Sequence, residues 1–325
     1  MACSLLAFGE VLEDYVPVGD GYLKLAGGAP LNMAAEAVKF GLPTKMITEL
    51  GGDQASQRLL KAMKDEGLDT SLVSLDKDLV LCHTAVTVNP STGEREFRFY
   101  KDKASFLGLC EDDIKDEWVN KGDVVHIGTV CLLGEGIIKA QLKLVSLAQK
   151  KGAMVTFDPN LRPSLFKPGE QERLAKVFLP YANVLKLGRD EIEPIVGSDD
   201  EKKAASYLFA THPALALVLV TDGGKGLRAY LRNGECVAVG SVKPLKMVDT
   251  VGCGDASFGA FIGSLSQRGF NTLDELEEIS EKEIHMSLVY AALAGSFVCG
   301  QKGALPMPTV PELDSLAKIR GIKLG

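Results

Sequence analysis

Asp249-Thr250-Val251-Gly252-Cys253-Gly254-Asp255-Ala256, running into the apolar Ser257-Phe258-Gly259-Ala260-Phe261-Ile262, decides how the rest of this 325-residue chain is read. Two glycines let the backbone turn tightly and bring its N–H groups close to a ligand, and the helix predicted over 256–267 adds unpaired donors and a positive dipole end. An anion fits there. Asp255 then has two readings. An acid beside a bound anion adds repulsion unless its carboxylate is needed for proton transfer, or the acid simply favours the dipole of the first helical turn.

Upstream of that turn, short apolar runs alternate with helical patterns. Residues 4–8, 45–50, 124–127, 154–157, 184–187 and 215–221 read as buried strands, and 30–40, 54–66, 136–151, 170–179 and 201–211 as the helices between them. This alternation predicts an α/β fold, a mostly parallel sheet with helices on both faces. Residues 82–89 and 94–100 instead alternate with a two-residue period around Pro90-Ser91-Thr92-Gly93, the pattern of an antiparallel hairpin. With 11–18 and 22–25 it predicts a small β lid built from about 11–25 and 82–101. A second hairpin, 228–231 and 235–239 with its turn at Asn233-Gly234, is expected at an edge of the main sheet. No repeat or low-complexity linker divides the chain, so residues 1–325 are read as a single domain with that lid.

Hydrophobic residues make up 46% and charged residues 24%, a balance that supports a sizeable core and argues against disorder. The net charge of −7, with both signs interspersed and no basic run, excludes the footprint of a nucleic-acid binder. The opening MACSLLAFGEVLEDY has no basic segment and meets Glu10 after a short apolar run, so neither a secretory signal nor a membrane span is expected and the chain reads as cytoplasmic. Seven scattered cysteines without a CxxC pair read as reduced thiols, and four distant histidines give no local zinc pattern.

DTVGCGDAS resembles the C-terminal signature of the ribokinase-like (PfkB) carbohydrate kinases, usually DTxGAGD, with Cys253 where alanine is usual. Gly27-Gly28-Ala29-Pro30-Leu31-Asn32-Met33-Ala34 resembles the family's GG-x-x-x-N-x-A sugar-binding segment, its Gly-Ala-Pro typical of fructokinases. Gly9-Glu10-Val11-Leu12-Glu13-Asp14 resembles the fructokinase opening in which the aspartate holds sugar hydroxyls. Phe157-Asp158-Pro159-Asn160-Leu161-Arg162 resembles the D-P-N-x-R segment of fructokinases and ketodeoxygluconate kinases. Val220-Thr221-Asp222-Gly223-Gly224-Lys225-Gly226 resembles the nucleotide segment V-T-x-G-x-x-G, and Gly300-Gln301-Lys302-Gly303-Ala304-Leu305-Pro306 the K-G-A-x-P ending beside the adenine pocket. The likeness runs from Gly9 to about Pro306.

The resemblance implies a ribokinase-like fold and ATP-dependent phosphorylation of a sugar primary hydroxyl, with fructose first and ketodeoxygluconate its nearest rival. It implies that Asp255 takes the proton, that the backbone at Gly252, Cys253 and Gly254 stabilises the passing phosphoryl group, and that Arg162 approaches the phosphate. Asp14, Gly27, Gly28 and Asn32 would hold the sugar; Thr221, Gly223, Gly226, Lys302 and Gly303 would hold ATP. Mg²⁺ would be organised partly through Glu191 and waters, K⁺ could sit at Asp249, and a homodimer through the lid is the candidate assembly. Taken alone, the same residues have plainer readings: Gly27-Gly28 a turn, Asn32 a first-turn residue, Asp14 a strand-end acid, Arg162 a surface ion pair, the Lys302 loop a surface loop and Asp249 a loop cap.

Two departures bear on activity. Gly188-Arg189-Asp190-Glu191 keeps the glutamate of the family's N-x-x-E but not its asparagine. Phe99-Tyr100-Lys101-Asp102-Lys103-Ala104-Ser105 has lysine for arginine and lacks the closing acid of the fructokinase F-Y-R-x-x-S-A-D. They keep open a reading of another class, a kinase-fold module that binds a sugar or a protein without catalysis. Gly223-Gly224-Lys225-Gly226 is not a Walker A loop, because no Ser or Thr follows the lysine.

Overall fold

The computed structural model describes residues 3–88, 95–100 and 103–324. The hairpin turn at Pro90-Ser91-Thr92-Gly93 and the lid residues Lys101 and Asp102 lie outside the described residues. The chain enters with β1 (Leu5–Phe8), leaves the main body as β2 (Leu12–Val18) and β3 (Gly21–Gly27), and returns through α1 (Ala29–Lys39), β4 (Thr44–Gly51), α2 (Gln54–Glu66) and β5 (Val73–Asp76). It leaves again as β6 (Cys82–Val88) and β7 (Arg95–Tyr100). Strands and helices then alternate through β8 (Val124–Gly128), α3 (Glu135–Lys151), β9 (Met154–Asp158), α4 (Glu170–Phe178), β10 (Val184–Gly188), α5 (Ile192–Val196), α6 (Glu201–Thr211) and β11 (Leu217–Thr221). The hairpin β12 (Leu227–Leu231) and β13 (Cys236–Val239) leads to α7 (Cys253–Gln267), α8 (Leu273–Glu277), α9 (Glu281–Val298) and α10 (Val310–Arg320).

Among the described residues the main sheet has nine strands in the order β13-β12-β11-β10-β9-β8-β1-β4-β5, parallel from β11 to β5 and antiparallel at β12 and β13. The late hairpin therefore edges the sheet, as expected. The two-residue period of the strands sorts their side chains between two cores. Leu6, Val125, Val155, Leu185 and Val218 join the core that includes Ile137 of α3, Phe178 of α4 and Leu208 of α6. Leu5, Val124, Met154, Val184 and Leu217 join the other, with Phe258 and Phe261 of α7 and Leu288 of α9. Helices thus cover both faces, which is why these strands are apolar throughout.

Helix α7 begins at Cys253, three residues before the predicted start, because Gly252 at φ 76° already turns the chain into it. Gly259 lets α1 approach closely: a Cβ there would lie 2.4 Å from the Met33 carbonyl oxygen. That contact brings Asn32 of α1 up to the head of α7. The sequence reading missed α9, whose buried residues fall on all sides, so no amphipathic period marks it. No helix among the described residues is long and apolar enough to cross a membrane.

The lid is a separate sheet, β3-β2-β6-β7, in which β2 and β6 run parallel with Asp14 opposite Thr84. Strand alternation turns Glu13 and Asp14 to opposite faces. Glu13 accepts two hydrogen bonds from Arg58 of α2, at 2.8 and 2.9 Å, and fastens the lid to the main body. Asp14 is left facing the space beneath the lid.

Candidate active site

A cleft of about 1020 Å³ opens beyond the carboxyl ends of the parallel strands, where β8 and β4 leave β1 in opposite directions. This is where an open α/β sheet binds ligands. Each wall is a strand end: Glu10 after β1, Val130 after β8, Asn160 after β9, Gly188 closing β10 and Thr221 closing β11. The lid closes one end with Asp14, Thr84 and Phe99.

Asp14 is buried and accepts a hydrogen bond from the Thr84 hydroxyl. Burial pushes its carboxyl up to about 6 against that bond. Gly27 abuts it, since a Cβ there would lie 2.7 Å from Asp14 Oδ2. Gly28, at φ 115°, caps the start of α1, and a Cβ would meet the Glu10 carbonyl oxygen at 2.4 Å. Asn32 then donates through Nδ2 to Asp255 Oδ2 at 2.8 Å, while its own Oδ1 has no partner. Acceptors and donors for a polyhydroxylated ligand are therefore gathered at this end of the cleft.

Asp255 sits in the first turn of α7, whose N–H groups lack acceptors within the helix. Burial raises its carboxyl above the ordinary range, and Lys186 is the strongest influence holding it down. Lys186 is itself buried, paired with Asp158 at 2.9 Å, and a Cβ on Gly254 would lie 3.7 Å from its Nζ. A positive charge thus lies under the turn that the sequence reads as an anion site. Arg162 reaches the same cleft from the loop after β9, exposed, its guanidinium donating to the Leu161 carbonyl. A reversed turn aims it: Asn160 adopts φ 48°, and its N–H bonds the Asp158 carboxylate at 3.2 Å.

The far end is built by 221–226. Asp222 is fixed by Arg228, which also makes a bidentate pair with Glu201 at 2.6 and 2.8 Å. Thr221, Gly223 and Gly226 line the cleft, whereas Lys225 points to solvent. Glu191 is buried and accepts from the Gly188 and Leu161 N–H groups, so it joins the loops after β9 and β10. Each of its oxygens keeps a second lone pair, which fits holding a water of a hydrated cation. Where the family has asparagine, Gly188 leaves its space to Asp190: a Cβ there would lie 2.7 Å from Asp190 Oδ1.

Four residues of the expected site lie outside the cleft lining: Gly27, Asp249, Lys302 and Gly303. Lys302 is exposed; Gly303 is buried against Leu25 of the lid and donates to Asp249 Oδ2 at 3.4 Å. Asp249 also accepts from Val251 at 3.0 Å, and Ala304 packs where a Cβ on Gly252 would stand. The Lys302 loop thus backs the glycine turn from behind. Two buried charged residues of the lining, Lys186 and Glu10, are not marked as site residues by any motif of the sequence. Lys186 falls within the strand predicted over 184–187, where a lysine in the middle of Val184-Leu185-Lys186-Leu187 is itself the anomaly that marks it. Glu10 is buried, accepts from the Ala29 N–H at 3.3 Å and leaves Oε2 unpartnered; burial, with the Asp255 charge behind it, pushes its carboxyl up to about 8.

The model of the family described as pfkB family carbohydrate kinase matches residues 6–310. Fructokinase-1 of Zea mays is 32% identical over 320 residues, covering 95% of this chain and 96% of that protein. A crystal structure of a fructokinase from Xylella fastidiosa with bound ATP superposes with a TM-score of 0.87 at 25% identity, over 98% of this chain and 99% of that one. A fructokinase from Vibrio cholerae, solved with fructose, ADP and calcium, shares the fold with a TM-score of 0.83 at 23% identity, over 97% and 98% of the two chains.

Proposed function

This chain belongs to the pfkB family of carbohydrate kinases and is a sugar kinase, and from that premise we propose that it moves the γ-phosphoryl group of ATP to the primary hydroxyl of fructose, giving fructose 6-phosphate. The observation that carries the reading is the meeting of three elements in one cleft: the Asp14–Thr84 pair of the lid, the Asn32–Asp255 pair at the head of α7, and the 221–226 loop. Fructose is taken from the Gly-Ala-Pro and Asp-Pro-Asn-Leu-Arg segments and from the fructokinases that the chain resembles.

Asp14, Gly28 and Asn32 hold the sugar, with Gly27 giving the Asp14 carboxylate room. Asp255 accepts the proton of the attacking hydroxyl. As that oxygen bonds to the γ-phosphorus, the bond to the bridging oxygen breaks and ADP leaves. Burial raises the base towards the operating pH, the range in which general bases work best. The N–H groups at 252–254 and the Lys186 and Arg162 charges face the anionic transition state, where preorganised donors act most strongly. Thr221, Gly223 and Gly226 take the nucleotide phosphates and ribose; Gly303, through Asp249, and Ala304 support the glycine turn.

Mg²⁺ keeps several waters and binds through one or two carboxylates plus phosphates, so Glu191, reaching it through water, suits it without a protein cage. When bound it neutralises nucleotide charge. K⁺ at Asp249 is tested by replacing K⁺ with Na⁺ in the assay. The exposed Tyr22, Leu23 and Tyr100 of the lid support a homodimer, read from solution mass. Free thiols throughout support a cytoplasmic setting.

The test is turnover with ATP and Mg²⁺ on fructose, ribose, ketodeoxygluconate, adenosine and inositol, following ADP and the phosphorylated product. Fructose should have the highest kcat/KM. A tenfold preference for another member overturns fructose and leaves the kinase; sugar binding without turnover on any of them makes the protein a binding module.

A further inference from the structure

Two thiols that the transfer chemistry does not use meet on the wall of the cleft. Cys253 is the first residue of α7 and Cys299 caps the end of α9; their sulfurs lie 2.7 Å apart. Cys299 is already tied to the segment that leads into Cys253, because its carbonyl accepts from the Val248 N–H at 2.8 Å and from the Asp249 N–H at 3.3 Å. Both side chains are part-exposed and line the cleft, so a small reactant reaches them from the ligand side. Cys253 also stands two residues before Asp255, in the turn that faces the transferred group, at the position where the family usually has alanine.

We propose that Cys253 and Cys299 form a modification site: a hydroperoxide entering the cleft joins them as a disulfide that suppresses phosphoryl transfer, and a thiol reductant restores it. One thiolate attacks the peroxide O–O bond and becomes a sulfenic acid, its departing oxygen leaving as water once protonated. The second thiol attacks that sulfur, forms the S–S bond and releases a second water, so two thiols give up two electrons and hydrogen peroxide becomes two waters. A disulfide closes at about 2.05 Å, so the sulfurs need only a short approach and the shared backbone bonds persist. Drawing the sulfurs together pulls the head of α7 towards the end of α9 and shifts the preorganised N–H groups of the turn away from the phosphoryl group they face. A nucleotide in the cleft covers both sulfurs, so binding and oxidation oppose each other reciprocally. This inference rests on the nucleotide reading of the cleft.

The experiment treats the reduced full-length protein with hydrogen peroxide, with and without Mg-ATP, and reads both the peptide map and the kinetics. Expected are a Cys253–Cys299 linked peptide two hydrogens lighter than its parts, a fall in kcat/KM for ATP of about fivefold or more, recovery with dithiothreitol, and slower linking when Mg-ATP is present. Cys299→Ser and Cys253→Ala, each compared with its own untreated sample, should lose that sensitivity. Absence of the linked peptide at peroxide levels that oxidise exposed methionines overturns the proposal and leaves the kinase reading intact. Equal inactivation of the two variants, or a bridge without loss of activity, also overturns it. A reduced protein that does not turn over ATP sinks the nucleotide reading, and the regulation with it.

Discussion

Replacing Lys186 by methionine removes the positive charge from the floor of the cleft while keeping a chain of similar length. Lys186 and Asp158 are 8% and 4% exposed and 2.9 Å apart, so neither can be rescued by water when the other is lost. An exposed ion pair contributes up to ~1 kcal/mol, but breaking a buried one costs ~3–5 kcal/mol, because the remaining charge is stranded. The expected fall in Tm is on the order of 10 °C. Adding Asp158→Asn to the same protein removes the stranded carboxylate and should recover much of that loss. The second readout is functional. Lys186 is the strongest influence keeping the Asp255 carboxyl down, so Lys186→Met should move the acid limb of kcat/KM to higher pH. Thermal unfolding and a pH–rate profile on one preparation measure both. If the variant unfolds within about 1 kcal/mol of the parent and the acid limb stays in place, Lys186 is neither a buried partner of Asp158 nor the charge beneath the base.

Asp14→Ala removes a hydroxyl acceptor worth about 1–3 kcal/mol, so the sugar KM should rise roughly 5- to 150-fold while the ATP KM holds; equal weakening of both substrates contradicts the assignment. Because the Asp14 carboxyl titrates at about 6, the sugar KM should also climb as pH falls below that value, a trend that Asp14→Asn should lack. Glu10 shapes stability. Its folded value of about 8 lies above the ordinary 4.5, so the folded state holds the proton more tightly. That contribution is complete below about pH 4.5 and is lost as pH rises through 8, at about 1.4 kcal/mol per unit between them. The Tm of Glu10→Gln should therefore fall less between pH 5 and 8 than the parent's, and parallel curves would show that Glu10 is charged in the folded protein.

Most of the parallel sheet was legible because its strands are buried on both faces and so stand out as short apolar runs between amphipathic helices. The hairpins were legible from their alternation and, for the later one, from Asn233-Gly234. Helix α9 was not, since burial on all sides erases the period by which a surface helix is recognised. Edge strand β5 was missed too; with one neighbour and half-exposed side chains it carries too little apolar pattern. In the site, order and spacing identified segments that the fold does bring together, such as Asn32 and Asp255, 223 residues apart and 2.8 Å from each other. Spacing does not say on which side of a turn a residue stands: Lys302 and Gly303 do not line the cleft, and Ala304 of the same loop packs against Gly252. Lys186 and Glu10 act through burial, a property of the folded chain that their local sequence only hints at.

If Asp255 is the base that takes the sugar proton, Asp255→Asn should remove chemistry and spare binding. Asparagine keeps the size and an oxygen for the Asn32 amide but cannot take a proton. Turnover with fructose, ATP and Mg²⁺, set beside calorimetric affinities for both ligands on the same folded preparation, separates chemistry from binding. Expected are near-parental affinities with kcat lowered by ~10²–10⁴, the usual loss on removing a general base. A variant that turns over within about threefold of the parent, far inside that loss, would contradict that role and leave Asp255 as an acid that merely favours the head of a helix.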